Sequence, residues 1–304
     1  MRPFLKKMPI PTSGLMLGLM SLSKLYASLE WTLASTIFFA CGAILFVLLV
    51  AKIFFAFSSV LQDLQNPIIA SVAPTFTMGT MVMASMLVPY TTLATWLWFS
   101  AIALQVVLIG YFTYRFVIKQ VVSLQEVYPS WFILYVGLGI VPVTAGAFMP
   151  ELTQFLFWVV LIGYAVLLPI MLVRLQKHDI AEGAKPLITI LAAPGSLCLT
   201  GYLQAFELHN VFLVATLLLI SQALYVFVLC QLPKLLTLPF YPSYAAFTFP
   251  LVICATALFT TANVVNVPVL QWLAVIELII ASCVVVYVFV RYAVFFHAMR
   301  KAQV

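Results

Sequence analysis

Charge is scarce in this chain. Only 7% of its 304 residues are Asp, Glu, Lys or Arg, against 65% hydrophobic, and the mean hydropathy is +1.19. A surface of that composition cannot be solvated by water, so the sequence reads as an integral membrane protein. Acids are the scarcest charges, 8 against 14 basic residues, and Glu277 alone lies within a long apolar run. Histidine is nearly absent too: His178 and His209 fall in loops and His297 at the end of the last run. No Asp-rich, His–Glu or Ser–His grouping occurs inside the apolar runs, so the chain lacks the clustered groups that intramembrane proteases, prenyl transferases and phosphatases need, and no enzyme is expected. There is no glycine-rich phosphate loop, which excludes ATP coupling on this chain. The five cysteines, Cys41, Cys198, Cys230, Cys254 and Cys283, show no paired spacing and read as packing residues, so no disulfide, metal or other cofactor is expected.

What the chain has is an internal repeat. Five apolar stretches of about 20 residues, the length that spans a bilayer core, open on Pro11, Pro67, Pro129, Pro186 and Pro242, spaced 56, 62, 57 and 56 residues apart. A longer apolar run follows each: 31–57, 91–118, 152–175, 210–236 and 269–296. The repeating unit is a helical hairpin used five times, about 9–58, 65–118, 128–176, 185–236 and 241–298. Ten transmembrane helices are expected in an all-α fold, leaving no room for a soluble domain. The chain is read as one membrane domain, residues 1–304. The charged amino terminus runs into a full-length span with no cleavage-type small-residue site, so no removable signal is expected.

Sorting the basic residues orients the spans. With both termini and the loops after even-numbered spans on one side, that side holds 13 of the 14 basic residues; the exception is Lys24. The termini are therefore expected in the cytoplasm, with the protein in the cell membrane. The net charge of +6 is then a topology signal and not a nucleic-acid footprint.

The two helices of each hairpin differ. Eight of the twelve glycines fall in the short, odd-numbered spans, Gly14, Gly18, Gly137 and Gly195 among them, as do the mid-span prolines Pro74, Pro142, Pro194 and Pro250. A proline inside a helix removes a backbone hydrogen bond and kinks it. Freed carbonyls are tolerated at membrane depth beside neighbouring helices or a water-filled cavity, and small residues allow close approach, so these spans should face inward. All five start on the basic side and run outward together. The expected architecture is a pseudo-fivefold ring in which inner helices 1, 3, 5, 7 and 9 line a central pore and the long helices surround them.

The segment Pro9-Ile-Pro11-Thr-Ser-Gly14-Leu-Met-Leu-Gly18-Leu and, above all, Tyr244-Ala-Ala-Phe247-Thr-Phe249-Pro250-Leu resemble the tellurite-resistance and C4-dicarboxylate transporter family. That family also contains the slow anion channels of plant guard cells. The resemblance runs from about Met8 to Phe296 and implies ten spans, a homotrimer with one pore per subunit, and conduction of anions. It also implies that a ninth-span phenylalanine blocks the pore, here Phe249. A flat apolar ring would narrow and dewet such a pore until it turned aside. Phe247, about 200° away on a helix, should face elsewhere.

No acid lies on an inner span, so small inorganic or organic anions are the expected partners, besides lipid, with modest discrimination among them. Glu277 invites three readings: an ion pair with Lys24 that seals the ring, a proton-coupling carboxylate, or an acid reaching the interface unpaired. A two-halved inverted-repeat carrier does not fit five units starting on one side. A proton-coupled carrier of malate-type dicarboxylates, or of tellurite or sulfite, on the same fold remains the alternative to an anion channel.

Overall fold

The computed structural model describes residues 2–120, 122–146 and 149–301, and every regular element among them is helical. After α1 (Arg2–Lys7), the chain alternates between short or interrupted helices and long continuous ones. The first group comprises α2 (Thr12–Ser28), then α5 (Pro67–Val72) with α6 (Thr75–Leu87), and α8 (Trp131–Tyr135) with α9 (Ile140–Thr144). It continues with α11 (Ala193–Ala205) and α13 (Phe249–Val265), each entered through a 3-10 segment, Glu182–Ala192 and Pro242–Phe247. The second group is α3 (Thr32–Phe55), α7 (Leu93–Phe112), α10 (Pro150–Lys177), α12 (Val211–Leu236) and α14 (Pro268–Lys301), with the small α4 (Phe57–Asp63) trailing α3.

Burial separates the two groups. In the segments 67–87, 182–205 and 242–265, 78%, 94% and 78% of the most apolar window is buried; in the five long helices the share is 22–39%. Nearly every residue of α2 is buried as well. The long helices expose Leu33, Trp96, Phe155, Phe212 and Trp272. Apolar surface on that scale is stable only against lipid, which makes this a multi-pass membrane protein. Contacts follow the same division. Helix α2 packs against α6, α6 against α9, α9 against α11, α11 against α13, and α13 back against α2. Each long helix lies against the inner helix before it and the one after it, and α14 closes the series on α2.

The structure refines several sequence expectations. Among the described residues, eight helical segments are long and apolar enough to cross a bilayer, two fewer than the spans read from the sequence. The other two places are held by α2, with 17 residues, and by the run 131–144, where Gly137-Leu-Gly139 forms a 3-10 turn between α8 and α9. Pro186 does not open its segment but lies inside the 3-10 stretch that begins at Glu182. By contrast, Pro67 stands in the first turn of α5, where Asn66 caps the amides of Ile68 and Ile69 at 2.9 and 3.3 Å. A first-turn proline loses no hydrogen bond there.

The mid-span prolines mark interruptions sharper than kinks. Pro74 stands between α5 and α6, Pro142 lies inside the short α9, and Pro194 and Pro250 occupy the first turns of α11 and α13, where 3-10 structure gives way to α-helix. Not every basic residue at the terminal end is free in solvent. Lys52 is buried and pairs with Asp63 at 2.7 Å, and buried Arg174 donates to the carbonyls of Gln125, His178 and Asp179.

Candidate functional site

Two breaks in the inner helices face each other, and side chains of the opposite segment close both, one with a hydroxyl and one with a thiol. Pro250 has no amide proton to give the Ala246 carbonyl; Thr189 donates to that carbonyl instead, at 2.7 Å. Reciprocally, the Ala192 carbonyl, at the break before α11, accepts from the Cys254 thiol of α13 at 3.2 Å. Thr248, the junction between the 3-10 segment and α13, has its hydroxyl between the carbonyls of Ala245 and Gly14, at 2.7 and 3.1 Å. Ser13 meets Thr75 at 2.6 Å beside the break at Pro74. Backbone that leaves the α-helix at this depth is thus satisfied by neighbouring inner segments rather than by lipid.

Glycine brings α2 onto this junction. A Cβ on Gly18 would lie 2.4 Å from both Cβ and Oγ1 of Thr248 and 3.2 Å from the Phe249 amide. Gly14 faces Ala245 in the same way, its Cβ position 3.1 Å from the alanine methyl. Gly137 backs onto Met78 and Gln105, whereas Gly195 turns outward to Tyr164 of α10 and Ser221 of α12. Of the four glycines singled out in the sequence, Gly14 and Gly137 line a cavity; Gly18 and Gly195 allow helices to approach.

Two chambers lie along the axis that the inner helices surround. The one toward the termini is small, about 70 Å³, and its lining includes Gly14, Val72, Gly137, Ile190 and Ala246, one from each inner segment; its only hydroxyls are Thr75 and Ser243. The chamber toward the far end holds about 320 Å³ and is again lined from all five inner segments, by residues such as Ser21, Val82, Val143, Gln204 and Thr256. No long helix contributes to either chamber, and neither lining contains a carboxylate. Among the described residues one borders both: Phe249, 7% exposed. Its ring packs in a buried cluster with Leu17, Met20, Met78, Ile140 and Ile253. Phe247 touches neither chamber and sits edge-on to Tyr244, ring centres 4.9 Å apart. Pro194 and Pro250 line the small chamber; Pro74 and Pro142 line neither, and Pro142 packs on Gly201.

The ion pair expected between Lys24 and Glu277 does not form. Lys24 points inward, donating to Ser85 Oγ at 3.1 Å and the Val143 carbonyl at 3.0 Å, while Lys52–Asp63 is the one ion pair among the described residues. Nor does Glu277 reach the interface. It is 4% exposed, behind α13, within electrostatic reach of Tyr225 and Cys254, and its Oε2 has no hydrogen-bond partner. Helix α14 packs on both α13 and α2, so a pairing across it was plausible from topology; the rotation of α2 that turns Lys24 toward α6 and α9 is a packing outcome no spacing encodes.

Sequence reasoning missed Gln105, fully buried on α7, whose amide oxygen accepts from Thr77 and whose nitrogen has no partner. A lone amide in an otherwise apolar span was its only signal. Thr248 and Thr189 were also missed, although hydroxyls near mid-span prolines are natural donors to freed carbonyls.

A family model described as SLAC1, voltage-dependent anion channel, matches residues 7–293. The chain belongs to this family. The match takes in all five inner segments, both chambers and Phe249, and agrees with the resemblance carried by the first and ninth spans. A search of the curated proteins returned no significant match. The SLAC1 family is one of anion channels.

Proposed function

We propose that the chain is an anion channel whose pore joins the two chambers and is closed by the Phe249 ring. The observation that carries this reading is that Phe249 alone borders both cavities. A phenyl ring seated above a narrow apolar chamber excludes water and withholds the hydration an ion needs, and turning it aside removes both obstacles. Five hairpins crossing the bilayer ten times, in pseudo-fivefold arrangement around the pore, account for the closed circuit of inner-helix contacts and for the burial difference between short and long segments. In this reading the breaks at Pro74, Pro142, Pro194 and Pro250 let the inner segments yield without unravelling. Thirteen basic residues toward the terminal end and chambers free of carboxylates favour anions over cations. The same basic residues argue for termini in the cytoplasm of a cell-membrane protein. Assembly as a homotrimer rests on family resemblance alone. The chain acts as a conduit and not as an enzyme, in keeping with its family.

The test is Phe249→Ala, recorded by anion-substitution electrophysiology beside the parent at equal surface expression. Removing the ring should raise anion current by about tenfold or more, the factor that a barrier lower by about 1.4 kcal/mol gives. An unchanged current would falsify the gate.

One observation favours a second reading. Glu277 is an acid buried behind the helix that carries Phe249, with one carboxylate oxygen unpaired. A proton-coupled carrier of dicarboxylates, tellurite or sulfite would use such a group. Saturable flux driven by an imposed proton gradient and abolished by Glu277→Gln supports the carrier; unitary currents indifferent to that gradient support the channel.

A further inference from the structure

Lys24 is the one basic residue away from the terminal end, and its surroundings are out of keeping with a structural lysine. Its ammonium is held between α6 and α9, and the residue is part of the lining of the far chamber. Both recorded partners, the Ser85 hydroxyl and the Val143 carbonyl, are neutral. An ammonium has three donors, so one N–H is left over and the full positive charge is uncompensated by any carboxylate within 4 Å. A half-buried cation without a counter-ion is costly unless something supplies one.

The chamber offers room and further donors for that something. Ser21, one turn before Lys24 on the same face of α2, has a buried hydroxyl with no partner and borders the same cavity. The amides of Gln204 and Asn263 stand at the mouth. At about 320 Å³ the space holds a small anion with part of its hydration shell. The acids at this end, Glu30, Glu151, Glu207 and Glu277, line none of it. Glu30 and Glu207 are in loops and Glu151 in the first turn of α10, so an anion arriving from this side first meets repulsion that salt screens. It then meets a single attractive charge inside. Hydroxyl and ammonium donors with no acid among them suit a monovalent halide or oxyanion and repel a metal cation.

We infer that the far chamber is a resting site for one small monovalent anion, held by the Lys24 ammonium and the Ser21 hydroxyl on the far side of Phe249. This rests on the anion-channel reading and adds to it a site, a side and a charge. Occupancy at one point beside the gate concentrates anions where they are needed and stays weak enough for release, because a single charge and one hydroxyl make few bonds.

The experiment uses the full-length protein in planar bilayers, in the Phe249→Ala background so that current is readily measured, with chloride varied on one side at a time. With chloride on the far side, Lys24→Gln is expected to raise the half-saturating concentration by about fivefold to tenfold, as loss of one nearby charge in a partly solvated site predicts. Saturating current should change by less than about twofold, and chloride varied on the terminal side should show little shift. Lys24→Arg, which keeps the charge, should stay within about twofold of the parent. Ser85→Ala removes an anchor of Lys24 but no charge; a merely structural lysine would make it resemble Lys24→Gln, whereas the anion site predicts the parent curve. Superimposable curves for Lys24→Gln and the parent, at equal elution on size exclusion, overturn the site while leaving the channel intact. Absence of any anion current in the Phe249→Ala parent counts against the channel reading itself.

Discussion

The two chambers on either side of Phe249 are built from the same five segments and differ in almost everything else. Toward the termini, four of the five inner segments are 3-10 or interrupted, freed carbonyls are met by a hydroxyl and a thiol of neighbouring segments, and the lining is apolar apart from Thr75 and Ser243. Toward the far end, α2, α6, α11 and α13 are regular helices whose side chains point polar groups inward, Lys24 among them. The difference teaches where polarity is used. In one half, polar side chains repair backbone and leave a mainly apolar cavity of about 70 Å³; in the other, an intact backbone frees side chains to line one of about 320 Å³. A hydrophobic barrier needs the first arrangement and an anion vestibule the second.

The largest effect on this division is expected at the level where the two halves meet. Gly18 lets α2 touch the Thr248 junction, and a methyl there would lie 2.4 Å from Thr248. Gly18→Ala must push α2 away from the segment that carries Phe249. Overpacking of this kind costs about 1–3 kcal/mol, visible as a lower melting temperature in detergent together with altered current. Because the obstruction is the Thr248 side chain, Gly18→Ala with Thr248→Gly should recover more of the melting temperature than Thr248→Gly loses alone. Identical melting of Gly18→Ala and wild type would mean that the two halves are not wedged together at this point.

Sequence made the long helices and their order legible because lipid-facing surface leaves an unbroken apolar run that no other environment explains. It made Pro67 legible as a helix start, and Phe249 was singled out by the resemblance that its ninth-span motif carries. What it could not show is how the inner segments wind. The apolar pattern of Glu182–Ala192 does not separate 3-10 from α-helix in a segment most of whose residues are buried, so Pro186 reads as an opening residue when it is interior. Nor does a glycine declare its neighbour: Gly195 looks like Gly14 in sequence but faces Tyr164 and Ser221 of the outer helices. Lys24 shows the same limit for charge, because its partners are a hydroxyl 61 residues away and a carbonyl 119 residues away.

A smaller effect is expected from wetting the dry half. Val72 and Val136 line the terminal-side chamber. Replacing either with threonine keeps the shape and adds a hydroxyl to an apolar wall. With the ring in place, current should not change, since Phe249 still closes the axis. In the Phe249→Ala background each substitution should raise current by about twofold, because a dewetted constriction then limits flow. A rise in the parent protein would shift the principal barrier from the ring to the chamber itself.

The smallest effect concerns the amide behind the dry wall. Gln105 lies on α7, outside both chambers, but its nitrogen would be 3.3 Å from a Cβ placed on Gly137, which does line the terminal-side cavity. Its oxygen accepts from Thr77, which also donates to the Pro74 carbonyl at 2.7 Å. Gln105→Met therefore leaves Thr77 with a partner and removes an amide nitrogen that has none, so stability should change by less than about 1 kcal/mol. Current in the Phe249→Ala background should be unaltered, because the missing side chain of Gly137 admits helix packing rather than water. A clear loss of current would show that this amide hydrates the cavity through the glycine, and the contrast between a dry and a wet half would then be one of degree.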